Sequence, residues 1–394
     1  MHSLPRLLGA LVLSCIALTA CSGPDPTAGS VFVDPDKASL DGVTAALVLS
    51  PQTAGIDEGK PGYIALAASD GSLSLLPTKG MDRGLLEFAD SELFFSDFDN
   101  DYVLADRLVS SPSPKPNVQE ALYVIDDEAV GLYNDGFTDD GYNEVVVTSG
   151  AGESARTDVQ GAYAVTARCG DAIFGIAPTS GPYLTGEARE RFDAGDGAVG
   201  QMLTRISPGD SELLIGTVGV VDSLQPGGAA ACVNDGVSYP SFNVSGGESG
   251  DGAAVLKTWN IASGVLIEKP LVTETGEPFP MTAEDMLFAQ MAPEPVDDGV
   301  VWIVPGGRIL STDLETGVTD VVSTVAHESE EASLFLDQRG NVMWTAEEPF
   351  GDNVDFVITE TDLLSGTSTE ALRIDNLGGI LSPDLFVRDF VLLD

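Results

Sequence analysis

Two short acidic runs carry the oxygen atoms that a hard cation such as calcium takes as ligands. The first is Asp135-Gly136-Phe137-Thr138-Asp139-Asp140-Gly141-Tyr142-Asn143. Here the carboxylates of Asp135, Asp139 and Asp140 and the amide of Asn143 are interspersed with glycines that let a loop wrap an ion. The second run sets Asp97, Asp99 and Asp101 around Asn100. It opens with the spacing of a calcium loop. Tyr102, however, stands where the sharp turn needs glycine, and no Glu occupies the twelfth position. The plain alternative for both runs is a solvated acidic turn, because Asp, Asn and Gly are what exposed turns favour anyway.

Other chemistries are thinly supplied. The only histidines are His2 and His327. His327 lies in a polar stretch beside Glu328, Glu330 and Glu331 and reads as a lone exposed loop residue. Zinc sites built from two or three histidines are thereby excluded from the body of the chain. No Gly-x-Ser-x-Gly elbow and no phosphate-binding glycine loop followed by a helix pattern occurs. Asp and Glu together number 62, so any carboxylate pair picked from the sequence for glycosidase-type chemistry is arbitrary. No catalytic residue is assigned.

The start of the chain is more specific. Arg6 precedes Leu7 to Leu18, which is apolar except for Ser14. That run is too short for a spanning helix, which needs about 20 apolar residues, and has the length of a signal-peptide core. Leu18-Thr19-Ala20-Cys21 closes it and resembles the lipobox of bacterial lipoproteins. The resemblance implies cleavage before Cys21, acylation of Cys21 with palmitate or a related chain, and anchoring on the extracytoplasmic face of the cell membrane. The expected division is a signal peptide over 1–20, a lipidated cysteine with a flexible tether over 21–40, and a folded domain over 41–394. An exported chain meets an oxidising compartment, so Cys169 and Cys232 are expected to form a disulfide. Closing so long a loop stabilises by ~4 kcal/mol. A reactive or metal-binding pair is the alternative.

Eighteen Lys and Arg against 62 acids give a formal charge of −44. Such a chain repels phosphate backbones, so nucleic acid is excluded as a partner. Anionic head groups are likewise disfavoured, which leaves the acyl anchor as the membrane contact. The acidity reads as a well-hydrated exported surface. Disorder is excluded, since 43% of the residues are hydrophobic and strand patterns recur throughout.

Short alternating apolar runs, punctuated by Gly, Asp, Asn and Pro, dominate the sequence and predict roughly two dozen strands. Gly62 to Ala68 with Ser72 to Leu76 reads as a hairpin, as do Leu122 to Asp126 with Ala129 to Tyr133 and Tyr163 to Ala167 with Ala172 to Ile176. Helical patterns are confined to Thr282 to Met291 and Gly186 to Phe192. In the C-terminal half a turn recurs: Asn260-Ile261-Ala262-Ser263-Gly264, Asp313-Leu314-Glu315-Thr316-Gly317 and Asp362-Leu363-Leu364-Ser365-Gly366. Weaker turns near Gly71, Asp126, Gly170 and Gly209 continue the series, and units of about 50 residues account for the length. Trp259, Trp302 and Trp344 recur with the units and read as core packing rather than a carbohydrate platform.

The run Leu256 to Ile267 resembles the third strand, turn and fourth strand of a WD40-like or quinoprotein-like β-propeller blade. The three clear copies cover about residues 250 to 394. The expected fold is therefore all-β: a seven-bladed β-propeller, with eight blades the other count. Phe386 to Leu393 is expected to share a blade with an N-terminal strand such as Ala45 to Ser50, which closes the ring. The first acidic run is similar to the calcium loop of FG-GAP propeller repeats, although Gly136 and Thr138 fall where two ligands belong. The implied function is a membrane-anchored, non-enzymatic binding or interaction module for a protein or small-molecule ligand. The alternatives are a propeller enzyme, lactonase-like or quinoprotein-like, and a calcium-stabilised adhesion-type propeller. A carboxylate cluster converging on the central channel would favour the enzyme. No cofactor is named beyond the candidate calcium.

Overall fold

A computed structural model describes residues 31–394 except 139–140, 150–153, 164, 179–199, 208–212, 220–222, 225–226, 245–251, 328–331, 350–353, 382–383 and 394. Cys21, Asp139, Asp140 and the helix expected over Gly186 to Phe192 lie outside the described residues. Seven antiparallel sheets follow one another around a ring. The chain is a seven-bladed β-propeller, as the spacing of its turns predicts.

Blade 2 shows the plain unit, with strands Leu86–Ala89, Glu92–Ser96, Asn100–Leu104 and Leu108–Pro112 running from the axis outward. Blades 3, 4 and 7 open on Gln119–Ile125, Val165–Cys169 and Leu334–Arg339. Blade 5 opens on Ala231–Val233 and blade 6 on Gln290–Met291. Blade 1 is composite. Its outer strands are Val43–Ser50, Gly62–Ala68 and Leu73–Thr78, whereas its axial strand is Phe386–Leu392. Leu47 pairs with Phe390 and Ala45 with Leu392, the closure expected between the two ends of the domain. Val31–Phe32, inside the stretch read as tether, adds a parallel strand to the outer edge of the same blade.

The sequence alternates poorly in places because both faces of many strands are covered. Gly299-Val300-Val301-Trp302-Ile303-Val304, the second strand of blade 6, is buried at every position. Apolar clusters sit between neighbouring blades: Leu47, Leu49 and Ala65 of blade 1 pack on Trp344, Phe356 and Ile358 of blade 7. Trp259, Trp302 and Trp344 all lie in such clusters, so they are core residues. No described helix is long and apolar enough to cross a membrane.

The repeated turns join third to fourth strands, and their side chains explain their sequence. The Asp313 carboxylate accepts the Thr316 amide at 2.7 Å and the Thr316 hydroxyl at 2.6 Å. Asn260 repeats both bonds with Ser263, and Asp362 accepts the Ser365 amide, while the Ser365 hydroxyl donates to Thr367. The closing glycines have φ of 67°, 76° and 70° at Gly264, Gly317 and Gly366. A Cβ on any of the three would overlap a carbonyl oxygen on the fourth strand of the preceding blade, from Ile215, Pro270 and Val322 respectively. Glycine is therefore required twice over, for its φ and for the approach of blade to blade.

Gly71 belongs to this series, since its Cβ would overlap the Arg373 carbonyl of blade 7. Asp126 and Gly170 do not: they join first to second strands. Any tight hairpin selects Asp and Gly at positive φ, so turn composition alone does not say which two strands a turn joins. Gly209 lies outside the described residues. The helix expected over Thr282 to Met291 is shorter, Ala283–Leu287, started by a Thr282–Asp285 capping box. The end of that window is instead the axial strand of blade 6.

Cys169 and Cys232 are joined by a disulfide, with Cα atoms 5.4 Å apart. The bond links the axial strands of blades 4 and 5, in agreement with expectation.

Candidate functional site: an acid-lined cavity on the propeller axis

The axial strands line a half-open cavity of about 990 Å³. Every blade meets it except blade 5, whose place is taken by Ala229 just before its first strand. A volume of this order holds a drug-sized molecule.

Its chemistry comes from acids set in three axial strands. Glu87 stands between Leu86 and Phe88 in blade 2, Asp337 follows Leu336 in blade 7, and Asp389 precedes Phe390 in blade 1. These are consecutive blades around the ring, so the three carboxyls converge on one wall. Asp389 accepts the backbone amide of Leu86 at 2.8 Å, and Asp337 accepts that of Leu392 at 3.2 Å. Each thus binds the axial strand of the following blade. Glu87 has no hydrogen bond and no ion pair among the described residues.

Burial drives all three acids toward the protonated form. Glu87 is pushed up to about 7 by burial, aided by the Asp337 charge and opposed by Arg168 and Arg339. Asp389 is pushed up to about 8 by burial, against the two backbone amides that it accepts. Asp337 moves the same way, chiefly by burial, against the attraction of Arg339. Arg339 lies 3.5 Å from Asp337, stacks over the rings of Phe88 and Trp344, and donates to the Leu392 carbonyl. Elsewhere on the lining, Arg83 pairs with Glu120 at 3.3 Å and Arg388 with Asp82 at 3.1 Å. Leu287 lines the same cavity and, with its neighbour Phe288, is exposed.

The residues singled out from the sequence lie elsewhere. Asp135 is exposed and pairs with Arg156 at 3.4 Å; Asn143 stands opposite Gly136 in the adjoining strand of blade 3. Among the described residues no group of three His, Cys, Asp or Glu side chains is placed to hold a metal ion.

The Asp97–Asp101 run is filled by the protein itself. Asp97 is fully buried and accepts from the amides of Asp99, Asn100 and Lys79 and from the Tyr102 hydroxyl. The ammonium of Lys115 lies 3.0 Å from Asp101, 3.1 Å from the Asp97 carbonyl and 2.7 Å from the Ser113 carbonyl. A lysine therefore occupies the place among these oxygens that a cation would take. His327, expected as a free loop residue, is half-buried: its Nδ1 accepts the Gly306 amide at 2.8 Å and its other nitrogen meets the Ala332 carbonyl at 3.2 Å.

Glu87, Asp337, Asp389 and Lys115 were not reached from the sequence. The available signal is a lone acid interrupting an apolar strand, as in Leu85-Leu86-Glu87-Phe88-Ala89. Only the ring brings three such strands together.

The fold and its cavity define a seven-bladed β-propeller of axial-cavity type. No family model and no curated protein matches the chain. Solved structures of similar fold include TolB from Acinetobacter baumannii, at 10% identity and TM-score 0.36, covering 89% of this chain and 66% of TolB. A putative 6-phosphogluconolactonase from Bacteroides fragilis matches at 12% identity and TM-score 0.37, over 86% of this chain and 83% of that one. YCF48, solved with a D1 peptide, matches at 10% identity and TM-score 0.40, over 92% and 96% of the two chains. These likenesses describe fold alone.

Proposed function

We propose that this chain is a lipid-anchored β-propeller on the extracytoplasmic face of a membrane, acting as a binding module for a small-molecule ligand. The observation that carries binding is the 990 Å³ cavity lined by the axial strands. Anchoring is supported by Leu18-Thr19-Ala20-Cys21. Wild-type protein should partition into the detergent phase, while Cys21→Ala should stay in the aqueous phase; equal partitioning would remove the anchor. For binding, crystals soaked with mixed small molecules should show density beside Glu87 and Asp389. Compounds found only on outer surfaces would count against the cavity.

A second reading, a propeller hydrolase, is favoured by the convergence of carboxyls and by Glu87 lying near neutrality, where a general acid works best. Turnover of lactone or glycoside substrates by wild type and its loss in Glu87→Gln would establish that reading.

A further inference from the structure

The proposed binding function leaves the ligand class open, and the pairing of charges around the cavity narrows it. Four arginines approach the lining: Arg83 pairs with Glu120, Arg339 with Asp337 and the Leu392 carbonyl, Arg168 with the carbonyls of Val124 and Gly170, and Arg388 lies 3.1 Å from Asp82, although its buried Nε and Nη2 have no hydrogen-bond partner among the described residues. The acids left without a cation are Glu87, Asp389 and Glu294. Glu294 accepts the Gly340 amide at 2.6 Å and Asp389 the Leu86 amide, but Glu87 has no partner. An unpaired carboxyl in such a site is a costly arrangement unless a donor arrives to meet it. Around these acids the lining mixes polar groups with apolar residues such as Leu86, Met291, Leu336 and Val391.

Resting on the reading of the cavity as a binding site, we infer that it takes an organic cation, an amine with an apolar body, whose nitrogen is held by Glu87 beside Asp389. An anion would face three acids without a cation, against Arg388 as the one lining arginine with unsatisfied donors among the described residues. A neutral molecule would leave Glu87 without its charge partner. The amine keeps its protons and the carboxyls give up theirs to solvent, so complex formation releases protons and tightens as pH rises. The groups facing Glu87 and Asp389 are Asp337, Glu294, Arg168 and Arg339, together with the Leu86 amide.

The test uses three matched sets of small molecules on the full folded chain at physiological ionic strength: phenylalkylamines, the corresponding alcohols and the corresponding carboxylates. Binding is followed by ligand-detected NMR and by calorimetry in two buffers of different ionisation enthalpy. Amines should bind saturably at pH 8, with proton release, and about tenfold more weakly at pH 6. Glu87→Gln should weaken amine binding at least tenfold while keeping the native circular dichroism spectrum; Asp389→Asn, which keeps an acceptor for Leu86, serves as the second variant. Alcohols or carboxylates binding where amines do not would overturn the cation and leave the cavity as a binding site. No binding by any set would overturn both. Amine binding that is equal in wild type and both variants would mark diffuse attraction to the acidic surface and overturn the inference.

Discussion

Asp389 accepts an amide from the neighbouring blade while burial holds its carboxyl up at about 8. Its unfolded value is near 3.9. The folded chain therefore binds the extra proton between about pH 4 and 8, and stability is lost as pH rises through that window. Asp389→Asn keeps the acceptor and removes the titration. Its stability relative to wild type should rise by ~3 kcal/mol from pH 5 to pH 8, measured by urea unfolding at both; a constant difference would contradict the shift. Lys115 makes the opposite case. Its side chain is fully buried, and Asp101 depends on it for charge balance. Lys115→Ala should cost ~3–5 kcal/mol in urea unfolding, and a loss under ~1 kcal/mol would deny the pair its role in the fold. Neither residue was legible in the sequence. The Asp97–Asp101 spacing pointed to calcium because the acids are adjacent, whereas the lysine that neutralises them comes 14 positions after Asp101 and reaches them only through the fold.

Turns are the elements that the sequence exposed best, and for a physical reason. A glycine that must both adopt positive φ and admit a neighbouring carbonyl leaves a fixed mark at each repeat. Gly317 carries both demands, whereas Gly276 has φ of 81° and open space where a Cβ would go. Gly276→Ala should cost ~1 kcal/mol from φ alone. Gly317→Ala should cost ~1–3 kcal/mol more, from the overlap with the Pro270 carbonyl. Equal losses in thermal unfolding would deny the turn its role in seating one blade on the next. Where only φ is demanded, as at Asp126 and Gly170, the same residue types mark a different turn, and the repeat read from them falls out of phase. The axial strands were less legible still. Their defining feature is a position facing the channel, and the isolated acids of Leu86–Ala89 and Leu334–Arg339 have no meaning until the ring brings them together.

At the scale of the whole molecule, ring closure and blade number follow from the turn spacing and from a strong strand pattern near the end of the sequence. The cavity has no such signature, because it is a property of the arrangement. A formal charge of −44 on a closed ring crowds like charges, and counter-ions should relieve that repulsion. The thermal midpoint should climb as sodium chloride goes from low to moderate concentration; a midpoint that falls steadily would contradict the repulsion.

The strand Phe386–Leu392 closes blade 1 beside Val43–Ser50 and also supplies part of the cavity wall, including Asp389. During synthesis, six blades and most of a seventh exist before the binding site does. A ribosome that stops early, or a protease that trims residues 386–392, leaves a protein with blades but neither a sealed circle nor a pocket. On the proposed reading of the cavity, a ligand would bind and stabilise only copies made through to this strand, and occupancy would mark a chain whose sheet edges have closed.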